Sequence, residues 1–280
     1  MELSTNNPLA KHFRQPSIYL KLPSGGRFYP DGVLDLTLTG ELPVYPMTVK
    51  DELMLKTPDA LMNGASMGSM LASCCPNIKD PWSIPLIDLD PILIAVRLAS
   101  YGQGMDITST CSHCASVNEH TIDLRNLLDS LPSMVDISNT AEYDDMVLEL
   151  RPQMFADLNS ASLIEFEQQK LVAVVTASDL PPEEKTKMFN ESFKKLTDLN
   201  IDSLVSCIAA IHIKDGEVVR DRNLIREFLV NTDRQTYDTV HNLVNNFVGV
   251  NAVPPVEVTC NECGKPYKVN LEFNQSNFFG

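Results

Sequence analysis

The sequence predicts an α+β fold in which short strands open the chain, two β-hairpins from distant segments pair with each other in the manner of a zinc ribbon, and a mainly helical insertion runs between them. Three observations carry this. Cys111-Ser-His-Cys114 and Cys260-Asn-Glu-Cys263 each lie between strand-like segments, and superposing one on the other also places Ile122 on Leu271 and Leu124 on Phe273 without a gap. Apolar residues at helical spacing fill much of 126–253. The first 46 residues instead alternate apolar residues with turn formers.

In chain order, residues 1–46 form an N-terminal β segment: Ile18-Tyr19-Leu20, the turn Ser24-Gly25-Gly26, the apolar stretch 33–38, then Pro43. Residues 47–104 form a helical segment. Thr48-Val-Lys-Asp51 reads as a capping box, with Asp51 reaching back to the helix start. Thr57-Pro58-Asp59 offers a second start, Gly64 and Gly68 weaken the middle, and Asp90-Pro91 opens a helix over 92–101 that Gly102 ends. The first cysteine hairpin occupies 105–125. In the helical insertion, 126–253, a helix from Gln153 to about Thr176 carries Phe155, Leu158, Leu163 and Phe166 on one face. Tyr143-Asp144-Asp145 lacks the spacing of a calcium loop and reads as a solvated strand start. Pro181-Pro182-Glu183-Glu184 opens a helix to Leu196, and a second spans 202–210. Asp215-Gly216 predicts a two-residue β-turn joining 210–214 to 217–220. Helices over 222–230 and 233–247 follow, then Pro254-Pro255, the second cysteine hairpin at 254–273 and a tail at 274–280.

With 280 residues and 44% hydrophobic content the chain can bury a sizeable core. Its formal charge is −15, and its basic stretches are interleaved with acids. That excludes the concentrated basic footprint of nucleic-acid binding. The longest apolar run, 92–96, is too short to span a membrane, and 1–14 lacks the order of a signal peptide. The expectation is a cytosolic protein without membrane or nucleic-acid partners. Its seven cysteines are then reduced or metal-bound, since the cytosol opposes structural disulfides.

One cysteine hairpin supplies two ligands, and a structural zinc requires four in a tetrahedron. Two copies complete one four-cysteine site, so Cys111, Cys114, Cys260 and Cys263 are the candidate ligands of one structural Zn²⁺ per chain, shared within a chain or between chains. Closing the 145-residue loop costs roughly 4 kcal/mol plus a constant. Structural zinc contributes about 10 to 16 kcal/mol in small peptides, enough to hold the ends together. Two other readings stand beside it: a thioredoxin-like redox pair, although neither copy opens a helix, and ordinary reduced cysteines. His113 and His120 have no counterparts in the second copy and read as surface residues. Cys74, Cys75 and Cys207 read as core, and Trp82 as a core plug in preference to a partner anchor. No nucleophile with a base, no phosphate loop and no open metal site emerges, so the chain is expected not to be an enzyme; Ser24-Gly25-Gly26 is a turn, not a phosphate cradle.

Leu22-Pro-Ser-Gly-Gly-Arg-Phe-Tyr29, Tyr45-Pro-Met-Thr-Val-Lys-Asp-Glu52 and the first cysteine hairpin with its Ile122-Asp-Leu-Arg125 together resemble the baseplate hub protein family of T-even-type contractile-tailed bacteriophages. The resemblance covers the first half of the chain and the second cysteine hairpin. It implies a hub subunit or hub assembly factor without catalytic residues, made in the host cytoplasm, possible in the virion, and partnered by other phage hub and tail proteins. Should members bind zinc, the four cysteines would be the ligands. The competing expectation, a zinc-ribbon nucleic-acid-binding or transcription accessory protein, rests on the hairpins alone and is opposed by the charge. Candidate contact segments are 1–15 and 274–280, where Phe278-Phe279 is costly to leave in water.

Overall fold

A computed structural model describes residues 8–56, 64–133, 137–214, 216–249, 253–271 and 278–279. The chain begins on a two-stranded ribbon, β1 (Ile18–Leu20) against β2 (Leu42–Val44), whose register sets Tyr19 opposite Pro43. The stretch 33–38, expected as strand, makes only an isolated bridge from Leu34 to Ile78, while Pro43 lies inside β2. Proline is tolerated there because the ribbon has only two strands and one edge needs no donor.

Helix α1 (Val49–Leu55) starts on the capping box: the Thr48 amide donates to Asp51 Oδ2 at 2.8 Å, and the Asp51 amide donates to the Thr48 hydroxyl. Asp51 also receives the Ser73 hydroxyl at 3.0 Å and the Arg14 guanidinium at 3.5 Å, which ties residues N-terminal to β1 onto the helices. The expected start at Thr57-Pro58-Asp59 lies outside the described residues. In α2 (Ala65–Cys74) the two glycines serve packing. Gly64 takes the left-handed conformation at φ 65° just before the helix, and a Cβ on Gly68 would come within 3.3 Å of the Trp82 ring. Trp82 in turn stacks on Phe155, centroids 4.9 Å apart and planes 10° from parallel, which joins α2 to the insertion as a core plug.

Helix α3 (Leu86–Tyr101) starts six residues earlier than the sequence suggests and runs through Pro91. Proline lies early enough that only one ladder bond is lost. Ahead of it, Leu86 N–H donates to Gln153 O and Phe155 N–H to Ile84 O, both at 2.8 Å, so neighbouring backbone fixes this turn. Its wholly apolar stretch Ile92–Val96 is buried with β1, β2, α2 and α4 (Leu124–Asp129), forming the first core. Phe278 and Phe279, the described part of the tail, are buried in this same core. The Arg97 guanidinium lies 5.3 Å from the Phe278 ring centre and donates to its carbonyl.

Asp88 on α3 is fully buried and accepts bonds from the amide (2.9 Å) and hydroxyl of Ser24. This agrees with the turn reading of Ser24-Gly25-Gly26, since its donors point at a carboxylate of the chain itself. Burial pushes Asp88 up to about 6 from an ordinary 3.8, with the Ser24 bonds offsetting part of the rise. A carboxyl raised in the folded state favours its neutral form there, so its stabilising contribution is complete below pH ~4 and is lost as pH rises towards ~6. Relative to Asp88→Asn, the native protein is expected to lose about 2 kcal/mol of unfolding free energy between pH 4 and 7. Denaturant titrations of both proteins across that range check this, and a constant difference between them would contradict it.

The insertion holds more strand than expected. β5 (Thr140–Tyr143), β6 (Met146–Leu150), β7 (Ile208–Ile213) and β8 (Val218–Val219) form an antiparallel sheet in that order. Asp144-Asp145 is not a strand start but the turn joining β5 to β6, with Asp144 at φ 54°, a conformation aspartate tolerates better than most residues. The β7–β8 loop is 214–216 and has three residues, since Ile213 pairs with Glu217; Gly216 at φ 97° ends it, and Asp215 lies outside the described residues. β7 begins at Ile208 where a helix to 210 was expected, because Ile208, Ala210 and Ile211 are buried, two of them in the second core. That core also contains residues from α7 (Arg222–Asn231) and α8 (Arg234–Gly249).

Between β6 and β7 stand α5 (Phe155–Ala177) and α6 (Pro182–Ser206), of 23 and 25 residues. α6 is continuous where the sequence suggested a break after Leu196. No glycine or proline interrupts 183–206, and propensity alone does not end a helix that packs along its length.

Candidate metal centre

The cysteine hairpins are β3 (Gly104–Thr110) with β4 (Val117–Asp123), and β9 (Val256–Thr259) with β10 (Pro266–Val269). They match bond for bond at the turn. Thr110 pairs with Val117, as Thr259 pairs with Pro266. In the first, Cys111 N–H donates to Ser116 O and Ala115 N–H to Cys111 O, both at 2.9 Å; in the second, Cys260 N–H donates to Lys265 O and Gly264 N–H to Cys260 O, both at 3.0 Å. Each turn also has a left-handed residue after its second cysteine, Ala115 at φ 59° and Gly264 at φ 68°. Glycine takes that conformation freely; alanine does so at a cost in strain.

All four sulfurs lie within 4.8 Å of one another. Cys111 Sγ is 3.8 Å from Cys263 Sγ, and Cys114 Sγ is 3.6 Å from Cys260 Sγ. A tetrahedron of sulfurs about 2.3 Å from a central zinc has edges of about 3.8 Å, so the donor set fits that ion. Cys111 and Cys260 are buried, whereas Cys114 and Cys263 face solvent. Amide N–H groups point at the sulfurs: His113 N–H at Cys111 Sγ (3.4 Å) and Cys263 N–H at Cys260 Sγ (3.5 Å). The Ser116 hydroxyl sits 3.1 Å from Cys114 Sγ and 3.2 Å from Cys260 Sγ.

These donors favour thiolate. The Cys263 amide and then the Ser116 hydroxyl pull Cys260 down to about 5, and Ser116 lowers Cys114. Cys263 goes the other way, to about 11: the Lys265 amide lowers it, but burial and the neighbouring sulfurs outweigh that amide. Four sulfurs this close together could all carry negative charge only with a cation among them. With all four donors from protein, the set leaves no position for water or substrate.

Across the seam between hairpins, Asn118 Oδ1 accepts from the Asn261 amide at 2.8 Å, and Tyr267 Oη lies 2.7 Å from Ser109 Oγ and 3.2 Å from His120 Nε2. Asn118 and Tyr267 occupy equivalent positions in the two copies, and both are buried. Sequence reasoning missed Ser116, Asn118 and Tyr267; the matched distance of Asn118 and Tyr267 from the cysteines was the available signal, and Ser116, whose counterpart is Lys265, gave none. His113 Nε2 lies 3.2 Å from Pro266 O, and neither it nor His120 joins the sulfur cluster. Leu271 packs on the first core, while Phe273 lies outside the described residues. Cys74, Cys75 and Cys207 are buried away from the cluster, and burial pushes Cys74 up to about 12 and Cys207 up to about 11.

A family model described as T4 bacteriophage base plate protein matches residues 15–280. The chain belongs to this family. Comparisons with curated proteins and with solved structures returned no match. The base plate match extends beyond the segments that carry the sequence resemblance, since it includes the whole insertion together with both cysteine hairpins. Membership makes the chain a phage base plate component with other base plate proteins as its neighbours. No helix among the described residues is long and apolar enough to cross a membrane.

Proposed function

We propose that this base plate protein is a non-enzymatic hub component or hub assembly factor that works through protein contacts, made rigid by one structural zinc on Cys111, Cys114, Cys260 and Cys263. The observation that carries the reading is the sulfur cluster itself, which joins the two ends of a long insertion. A closed set of four thiolates stabilises structure and leaves the metal no coordination position for chemistry. The site would be loaded in the host cytoplasm, where thiols stay reduced. The nucleic-acid reading gains no support from the surface: Arg222, Arg226 and Arg234 are each paired with aspartates of the chain, which leaves no free basic stripe along those arginines.

The test is affinity isolation of the tagged protein from infected cells, followed by mass spectrometry. Hub and tail proteins are expected to come with it, and isolation with nucleic acid in place of base plate proteins would defeat the hub reading. Analysis of purified tails then separates the two versions: a hub component stays in the particle, whereas an assembly factor is absent from it.

A further inference from the structure

Helices α5 and α6 form an antiparallel hairpin that leaves several large apolar side chains exposed. Of its two helices, only Gln168, Val175 and Ser192 are fully buried between Phe155 and Leu204, and two of those three are polar. Phe166, Val172, Val174 and Phe193 are exposed, Phe193 to 65% and Val174 to 62%. A helix that is apolar on several sides is normally covered on several sides; α5 is covered along one stripe.

The two broad sides of the hairpin differ in charge. Along α5 the contact stripe is Ile164, Gln168, Leu171 and Val175, and along α6 it includes Ser192, Leu196 and Leu199. Val172 and Phe193 each follow a stripe residue by one position, about 100° around the helix. Because the helices are antiparallel, that rotation turns both to the same side. A groove on this side is lined by Glu165, Gln169, Leu196, Leu199 and Asn200. Thr176, Thr186 and Thr197 share the same rotation, so Glu165 is the one charge facing this way among those residues. The opposite groove is lined by Glu167, Lys195, Asp198 and Asp202, among others.

We propose that the side carrying Val172 and Phe193 packs against the same side of a second copy of this chain, completing a four-helix bundle about a two-fold axis. Charge selects this occupant. A chain of formal charge −15 repels its own copies over most of its surface. A near-neutral apolar side lets two copies meet, and it offers nothing to draw a basic partner. A two-helix face about 25 Å long and about 20 Å wide covers about 500 Å² per copy, so about 1,000 Å² in all. That is the lower end for a specific contact and implies a reversible dimer.

Sedimentation equilibrium of the full-length, zinc-loaded protein tests the proposal. Dimers are expected to be populated at ~100 µM, and Phe193→Glu is expected to weaken the dimer at least tenfold by bringing like charges together at the axis. Lys195→Gln, on the opposite side, should leave it unchanged. A wild type that stays monomeric throughout, or a dimer indifferent to Phe193→Glu, overturns the proposal. Hydrogen exchange on the wild type needs no variant: amides of α5 and α6 should gain protection with protein concentration, and concentration-independent exchange overturns it equally. Co-isolation with hub proteins is a separate measurement, so either result leaves the hub reading to its own test.

Discussion

Cys260→Ser is expected to abolish stoichiometric zinc binding and to lower thermal stability sharply. The wild type should contain about one zinc per chain, because two hairpins supply four thiolates and no fifth donor. Serine removes one of the two buried sulfurs and leaves the hydroxyl of Ser116 and the Cys263 amide facing a weaker acceptor. Zinc contributes about 10 to 16 kcal/mol in isolated peptides. In this chain the two apolar cores do not depend on the metal, so the expected loss is nearer the loop-closure term of roughly 4 kcal/mol. At the scale of large domains that lowers Tm by roughly 8–16 °C. A chelator should reproduce the loss in the wild type and add nothing in the variant, and Cys74→Ser, remote from the cluster, should keep its zinc. Metal analysis and calorimetry decide the matter; a metal-free wild type with an unchanged Tm would sink the zinc assignment.

Phe278→Ala is expected to cost about 3–5 kcal/mol, the range for truncating a large buried aromatic. Phe278 is 1% exposed, packs edge-on against Phe279 at 4.9 Å, and carries the Arg97 guanidinium over its face. Arg97→Ala removes the cation over the ring, about 0.5–2 kcal/mol, and with it the hydrogen bond to the Phe278 carbonyl, about 0.5–1.5 kcal/mol. The double variant should lose less than the sum, since both changes remove the same contact. Urea titrations with zinc in excess separate this effect from the metal. An alanine variant as stable as the wild type would show that the aromatic pair rests on α3 without stabilising it.

What could be read from the residues was local chemistry. The Thr48 capping box, the Pro181-Pro182 helix start and the paired cysteines each depend on neighbours within a few positions, so their spacing alone specifies them. β6 escaped because one of its partners, β7, lies some sixty residues on, beyond any periodicity, and β5, which pairs with β6 across the Asp144-Asp145 turn, escaped with it. α3 was started too late because a proline usually marks a helix start, whereas here the backbone around Ile84 and Gln153 holds one more turn ahead of it. Ala115 gave no sign of its positive φ, since alanine rarely adopts it; only its alignment with Gly264 could have pointed there. The aromatic pair Phe278-Phe279 reads from the sequence as a contact surface for a neighbouring subunit, and the fold instead buries it in the chain's own first core. Arg97 reads as one more helical cation until the fold brings the tail to it.

The matched cysteine turns lie close enough that a shared metal would join them across the chain. With a metal joining them, a pull entering through β3 passes from the first turn directly into the second and leaves through β10. The segment 115–259 would then lie off that line as a side branch, its helices and sheet shielded from a pull applied at the two hairpins.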